Sequence, residues 1–320
     1  MDIRSTSEIE LDGLAPEEAF SILGNEMRLD IVRALWSAGA LREYEEVDDA
    51  DATISFSELR QAVDIRDNGQ FNYHLSKLVP HFVRRTDGGY RLSEPGKRIA
   101  RTVVATSGGQ PDLSAGVRTT CPLCGSSVTA AYDEQWLRFS CTECDGMFGD
   151  VAPDGAIFYA GFPAAGLNGR SPDHALEAGL YRCMLDLAYL MRGVCRECAG
   201  PIASSVSVCE SHDASGDGSC LTCGTPFVAW VTLRCEECRF TKRLPIELCV
   251  MGLTPVIGAL YERGIDVLSP SFGDLVGAIA TLFRTTVTHD PLQVTVAIED
   301  ELDRLTLTFD DEMTLVDTDR

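Results

Sequence analysis

The stretch SFSELRQAVDIRDNGQFNYHLSKLVPHFVRRTDGGYRL, residues 55–92, decides the fold of the amino-terminal part of this chain. It opens on Ser55 and Ser57, either of which can cap a short helix through SFSELRQAV. In DNGQFNYHLSKLV, Phe71, Leu75 and Leu78 fall on one stripe, while Gln70, Asn72, Tyr73, His74 and Lys77 lie largely outside it. That spacing predicts a helix that buries one face and presents the other. FVRRTDGGYRLS then places two short extended runs around Asp87-Gly88-Gly89, the turn chemistry of a β-hairpin.

Upstream, AFSILGNEMRLDIVRALW sets Phe20, Leu23, Met27, Ile31, Val32 and Leu35 three and four apart, with Gly24 and Asn25 breaking the pattern into two helices. Residues 42–51 hold six acids and one arginine and read as an exposed loop. Downstream, EPGKRIARTVVAT predicts a helix over 94–106, and the small, turn-forming SGGQPDLSAG, 107–116, reads as a linker.

Charge sets this segment apart. The chain of 320 residues carries 49 acids against 27 bases, a net charge of −22, and only three lysines, Lys77, Lys97 and Lys242. Such an acid-rich, lysine-poor surface resembles proteins of salt-accumulating archaea. Residues 66–101 run the other way, with eight cations against three acids; their +5 leaves −27 for everything else. On such a background a positive island points to an anionic partner such as duplex phosphate.

Three helices, a presented fourth and a two-stranded wing make a winged helix-turn-helix. GNEMRLDIVRALW, ISFSELRQAV, FNYHLSKL and GYRLSEPGKRIAR resemble the ArsR-type winged-helix regulators, and the chain is most similar to the haloarchaeal ones that carry zinc ribbons behind this domain. The resemblance covers about 15–106 and, more loosely, the cysteine-rich remainder. It implies that the presented helix enters the major groove of double-stranded DNA, that the wing flanks it, and that two copies pair through their outer helices. Gln70 and Asn72 can offer paired donors and acceptors to a base edge, and Tyr73 and His74 can reach backbone or a thymine methyl. Lys77, Arg84, Arg85 and Arg91 suit phosphate. Family members often place sensing thiolates near the helix-turn-helix; this chain has no cysteine in residues 1–120.

All 13 cysteines follow, most of them in CxxC pairs with two residues between the thiols. Cys121-x2-Cys124 and Cys141-x2-Cys144 flank two strand-like runs, the pattern of a zinc ribbon, in which two knuckles supply four tetrahedral thiolates. Farther on, pairing sequence neighbours gives Cys195, Cys198, Cys209 and His212 as one quartet and Cys220, Cys223, Cys235 and Cys238 as another. Three structural Zn2+ ions in three ribbons follow. A two-ion partition instead joins Cys195 and Cys198 to a later pair and leaves Cys209 and His212 loosely placed. Full quartets leave no open position for catalysis. Cys183 and Cys249 lie in apolar helical runs and read as core residues.

The remainder predicts an amphipathic helix over 172–193, whose Leu176, Leu180, Met184, Leu187 and Met191 form a core face or dimer seam. A helical stretch follows at 245–263, interrupted at Thr254-Pro255, and QVTVAI and RLTLTF suggest a small antiparallel sheet at the end. The glycine-rich GFPAAGLNGRSP, 161–172, has neither GxGxxG nor a P-loop lysine, and nucleophile-elbow, HExxH and kinase signatures are missing, so no enzyme is expected. The amino terminus lacks an apolar signal run and no apolar stretch reaches membrane length, so a cytoplasmic location without membrane association is expected.

The expectation is therefore an α+β protein with five parts: an extension (1–14), a winged helix-turn-helix domain (15–106), a linker (107–116), a zinc ribbon plus helix (117–193), and a zinc-ribbon-containing effector region (194–320) with a small antiparallel carboxy-terminal sheet. The expected function is a homodimeric, sequence-specific DNA-binding transcriptional regulator, with an effector still to be identified. Two alternatives are a zinc-ribbon adaptor binding a protein of the transcription machinery and a metal-sensing repressor using the later cysteines.

Overall fold

A computed structural model describes residues 14–38, 53–107, 113–213, 220–301 and 303–320. The chain is mixed α+β with several small antiparallel sheets, and it divides into two compact units between Gly108 and Gly109. The acidic stretch 42–51 lies outside the described residues.

The first unit contains helices α1 (Pro16–Leu23), α2 (Glu26–Ser37), α3 (Phe56–Ala62) and α4 (Asn68–Leu78), the hairpin β1 (Val83–Thr86) and β2 (Gly89–Leu92), and helix α5 (Glu94–Thr106). Side chains cap four of the five helices. Asn25, Ser55, Asp67 and Ser93 each accept a backbone N–H from the first turn, and Ser55 and Glu58 form a reciprocal capping box. The buried stripes of α2 (Ile31, Val32, Leu35) and α4 (Phe71, Leu75, Leu78) meet in one core. Phe56 packs edge-on against Phe71 with ring centroids 4.9 Å apart. Ile54 pairs with Tyr90 and so ties the entry to α3 onto the hairpin. Gly89 at the hairpin turn has φ +145°, and a Cβ there would come within 2.2 Å of the Ile54 carbonyl oxygen, so only glycine fits.

The second unit holds three antiparallel sheets. One is β3 (Ser114–Thr120), β4 (Ser127–Asp133), β5 (Trp136–Cys141) and β6 (Ala156–Gly161), in that order. The second is β7 (Ile202–Val208), β8 (Ala229–Cys235) and β9 (Thr241–Pro245). The last is a meander of β10 (Phe283–His289), β11 (Leu292–Glu299), β12 (Arg304–Phe309) and β13 (Leu315–Asp319). Between them lie α6 (Pro172–Leu190), α7 (Ile246–Val250), α8 (Thr254–Glu262) and α9 (Phe272–Leu282).

Leu176, Leu180, Met184 and Leu187 of α6 are buried, so its apolar stripe is a core face. One apolar core runs from Cys121 to Met313, through all three sheets and the helices between them, so residues on both sides of position 193 share it. Ser114–Gly116, assigned by composition to a linker, start β3 instead. Among the described residues no helix is long and apolar enough to cross a membrane.

Candidate nucleic-acid face and metal centres

On α4 the residues off the buried stripe point outward: Gln70, Asn72, Tyr73 and Lys77 are exposed. The helix itself carries no acid; Asp67, at its N-cap, is engaged by the Gln70 amide at 2.7 Å. Lys77 Nζ lies 5.8 Å from the centre of the Tyr73 ring, close enough to hold both side chains in one patch.

His74 behaves differently. It is half-buried, its Nδ1 is buried without a hydrogen-bond partner, and burial, reinforced by Arg28, holds its pKa below the ordinary histidine value. Its ring packs edge-on against Tyr73 at 5.2 Å. The expected outward contact from His74 is therefore not what the geometry favours; the ring braces the neighbouring tyrosine.

On the hairpin, Arg84 and Arg85 are exposed and Arg91 half-buried, and the register sets Arg84 directly opposite Arg91. Cross-strand partners share a face, so two guanidinium groups are concentrated on one side of the hairpin. Lys97 corrects the charge count. It is buried and bonded to Glu94 at 2.6 Å, so this cation is internal to α5 and lost to the surface island.

In the second unit, three groups of four ligands gather with all donor atoms of a group within 4.8 Å of one another: Cys121, Cys124, Cys141 and Cys144; Cys195, Cys198, Cys235 and Cys238; Cys209, His212, Cys220 and Cys223. Each group can hold a metal ion. Around a zinc-sized ion with bonds of roughly 2.3 Å, tetrahedral sulfurs stand about 3.8 Å apart, and sulfur and imidazole nitrogen about 3.6 Å apart. The distances found are 3.7 Å for Cys121–Cys144, 3.4 Å for Cys124–Cys141, 3.6 Å for Cys195–Cys238 and 3.5 Å for Cys198–Cys235. His212 Nδ1 is 3.5 Å from Cys223 Sγ. All 13 cysteines are free thiols, and these separations far exceed the roughly 2.05 Å of a disulfide.

Backbone amides complete the sites. Glu143 and Cys144 donate to Cys141 Sγ, Glu197 to Cys195 Sγ, Gly200 to Cys198 Sγ, and Asp213 and Thr222 to Cys220 Sγ, at 3.3–3.4 Å. Led by the Asp213 amide, such bonds bring the Cys220 thiol down to about 6, and bonds from Ser126 bring Cys124 to about 6. Donors aimed at sulfur favour the thiolate that a metal requires, whereas burial opposes it and pushes the Cys144 thiol up to about 12 and those of Cys121 and Cys209 upward.

The grouping corrects the pairing of sequence neighbours. Cys195 and Cys198 do not join Cys209 and His212, nor do Cys220 and Cys223 join Cys235 and Cys238. The reason is β7. Its seven residues occupy most of the gap between Cys198 and Cys209, and an extended strand of that length spans roughly 23 Å. β8 separates Cys223 from Cys235 in the same way, and the full register from Ile202↔Cys235 to Val208↔Ala229 brings the outer knuckles together at one end of the hairpin and the inner pairs together at the other. The expected three ribbons are thus two hairpins: β4–β5 with one metal group, β7–β8 with a group at each end.

Residues 118–315 match the family model described as Domain of unknown function (DUF7351), and residues 16–103 match the one described as Domain of unknown function (DUF7347). No curated protein and no solved structure matches the chain.

Proposed function

We propose that this chain, which belongs to the DUF7351 family, is a sequence-specific DNA-binding transcriptional regulator whose second unit is built around structural zinc. In this reading the first unit is a winged helix-turn-helix of ArsR type: α3 and α4 form the helix-turn-helix, α4 enters the major groove, and β1–β2 is the wing.

The observation that carries the reading is the outward face of α4 and the hairpin. In a chain of net charge −22, it gathers Gln70, Asn72, Tyr73, Lys77, Arg84 and Arg85 with no acid on the helix. Amide side chains at the front of the helix suit base edges, and cations on the hairpin suit phosphate. Two copies would pair through the outer helices, where Phe20, Val103 and Val104 are exposed at 77%, 52% and 50%. Exposed apolar side chains on the two helices through which ArsR-type regulators pair support that arrangement.

Zinc would be held by the three quartets as closed, four-ligand sites, each clamping strand ends to one another and so contributing folding free energy directly. Four protein ligands leave no open coordination position, which favours a structural over a catalytic role.

Reversing Arg84 and Arg85 to glutamate tests the reading. DNA retention, measured by fluorescence anisotropy on genomic fragments, should be lost while bound zinc stays unchanged. Unaltered DNA affinity in that variant refutes the assignment of this face.

A further inference from the structure

The second unit contains a cavity of about 510 Å³ between the first sheet, α6 and the second sheet. That volume falls within the range of small-molecule sites, roughly 300–1,000 Å³. One wall is aromatic: Trp136 and Tyr159 stack with centroids 4.4 Å apart and planes 13° from parallel, and Trp136 remains 45% exposed. Beside them Gly161, paired in register with Trp136, leaves open space where a side chain would stand. A smaller, mostly apolar cavity of about 70 Å³ shares Phe148, Tyr159, Cys183, Lys242 and Leu244 with the first.

Five charged groups face the cavity: Asp186 from α6, Arg196 and Glu197 from the knuckle before β7, and Lys242 and Arg243 from β9. Arg196 is committed to both carboxylates, being ion-paired with Asp186 and 2.7 Å from Glu197, and it lies over the Phe240 ring at 5.1 Å. Arg243 is laid on the Trp230 ring at 5.3 Å. Lys242 has no carboxylate within ion-pair distance among the described residues; its contact is the Cys183 thiol, with Nζ 3.9 Å from Sγ. Three cations against two carboxylates leave one positive charge, at the junction of the two cavities, in a protein of net charge −22.

We infer that this cavity is a binding site for a small organic carboxylate with a flat aromatic body, its carboxylate on Lys242 and its ring against the Trp136–Tyr159 wall. A monoanion matches the single unbalanced charge, and π-stacking on an exposed, pre-stacked wall adds affinity without reorganising it. The cavity also depends on the metal group of Cys195, Cys198, Cys235 and Cys238. Arg196 and Glu197 lie between its first two ligands, and Phe240–Arg243 follow its last. The inference does not rest on DNA binding, since occupancy is read on the protein alone.

The test is titration calorimetry on the full, zinc-loaded chain with benzoate, and with benzyl alcohol as its uncharged counterpart. Benzoate should bind saturably, one per chain. Lys242→Gln should weaken it by roughly tenfold or more while leaving the weaker binding of benzyl alcohol unchanged. Gly161→Phe, which fills the cavity and alters no charge, should abolish both, with zinc content and thermal midpoint confirming that each variant folds. A second readout uses Cys183, which lines the cavity outside the metal groups, whereas Cys249, the other cysteine outside them, is fully buried. Benzoate should slow alkylation of Cys183 by iodoacetamide. Failure of benzoate to saturate up to about 10 mM, or wild-type affinity in Lys242→Gln, overturns the inference.

Discussion

In four of the five CxxC knuckles the residue following the second cysteine is driven into the left-handed region of backbone space; after Cys144 the positive φ falls one residue later, at Gly146. Gly125, Ala199, Gly224 and Arg239, each directly after a ligand, have φ of +78°, +63°, +68° and +63°. The chain must turn there so that backbone N–H groups point back at sulfur, and glycine does this without steric cost. Two of the four positions are nevertheless not glycine. Ala199→Gly and Arg239→Gly should each raise stability by about 0.5–1 kcal/mol in denaturant unfolding of the metal-loaded protein. Gly125→Ala, whose Cβ would meet no atom within 4 Å, should lower stability by a similar amount through backbone strain alone.

Glu247 supplies a pH prediction at the same scale. It is buried on α7, one carboxylate oxygen accepts the Thr285 hydroxyl and the other has no hydrogen-bond partner, and burial pushes its pKa above the ordinary carboxylate value. Its protonated form therefore favours the folded state. That contribution is complete below the ordinary pKa of 4.5 and is lost as pH rises through the folded value. Glu247→Gln should remove that part of the pH dependence, so its stability relative to wild type improves as pH rises; an unchanged profile would contradict the burial argument.

At the scale of elements, the β7–β8 hairpin makes the metal pairing nested, and paired substitutions can read that directly. By native mass spectrometry, Cys195→Ser with Cys235→Ser should cost the protein one ion, because both belong to one group, whereas Cys195→Ser with Cys209→Ser should cost two. Neighbour pairing requires the opposite result. In the first unit the helices rest on shape as much as on composition. Phe71 is fully buried against Phe56, and Phe71→Ala should cost about 3–5 kcal/mol in chemical denaturation.

These elements also mark how far sequence carries. The spacing of Phe71, Leu75 and Leu78, the serine caps and the Asp87-Gly88-Gly89 turn are local signals, and α3, α4 and the hairpin follow from them. Each knuckle is local too, so every ligand could be named. Which knuckles share an ion depends on strand pairing over more than 30 residues, and the serine-rich IASSVSV of β7 resembles a spacer. An alternating run between Cys198 and Cys209 was the available clue. Helix α9 was hidden because FGDLVGAIATL combines two glycines with apolar residues and lacks the polar face that marks a helical period. The cavity was not legible at all, since Trp136, Cys183 and Lys242 meet only in the folded chain.

For the whole molecule, electrostatics divide the labour. In the proposed regulator the attraction to duplex phosphate falls to the face of α4 and the hairpin, which keeps Lys77, Arg84 and Arg85 at the surface, with Arg91 half-buried beside them. Lys97 is turned inward, and Arg66, Arg98 and Arg101 lie off α4 and the hairpin, so these four cations are the candidate phosphate contacts of the face and log affinity for DNA should fall with log salt at a slope of roughly −4 per bound chain. A slope near zero would mean that these cations do not meet phosphate.

The most direct test of the regulator reading is selection of host genomic fragments by the zinc-loaded protein, followed by footprinting of whatever is retained. The reading predicts a small set of fragments sharing a near-palindromic segment, protected over two half-sites about one helical turn apart. Retention of all fragments alike, or of none, across a broad range of ionic strength would contradict it.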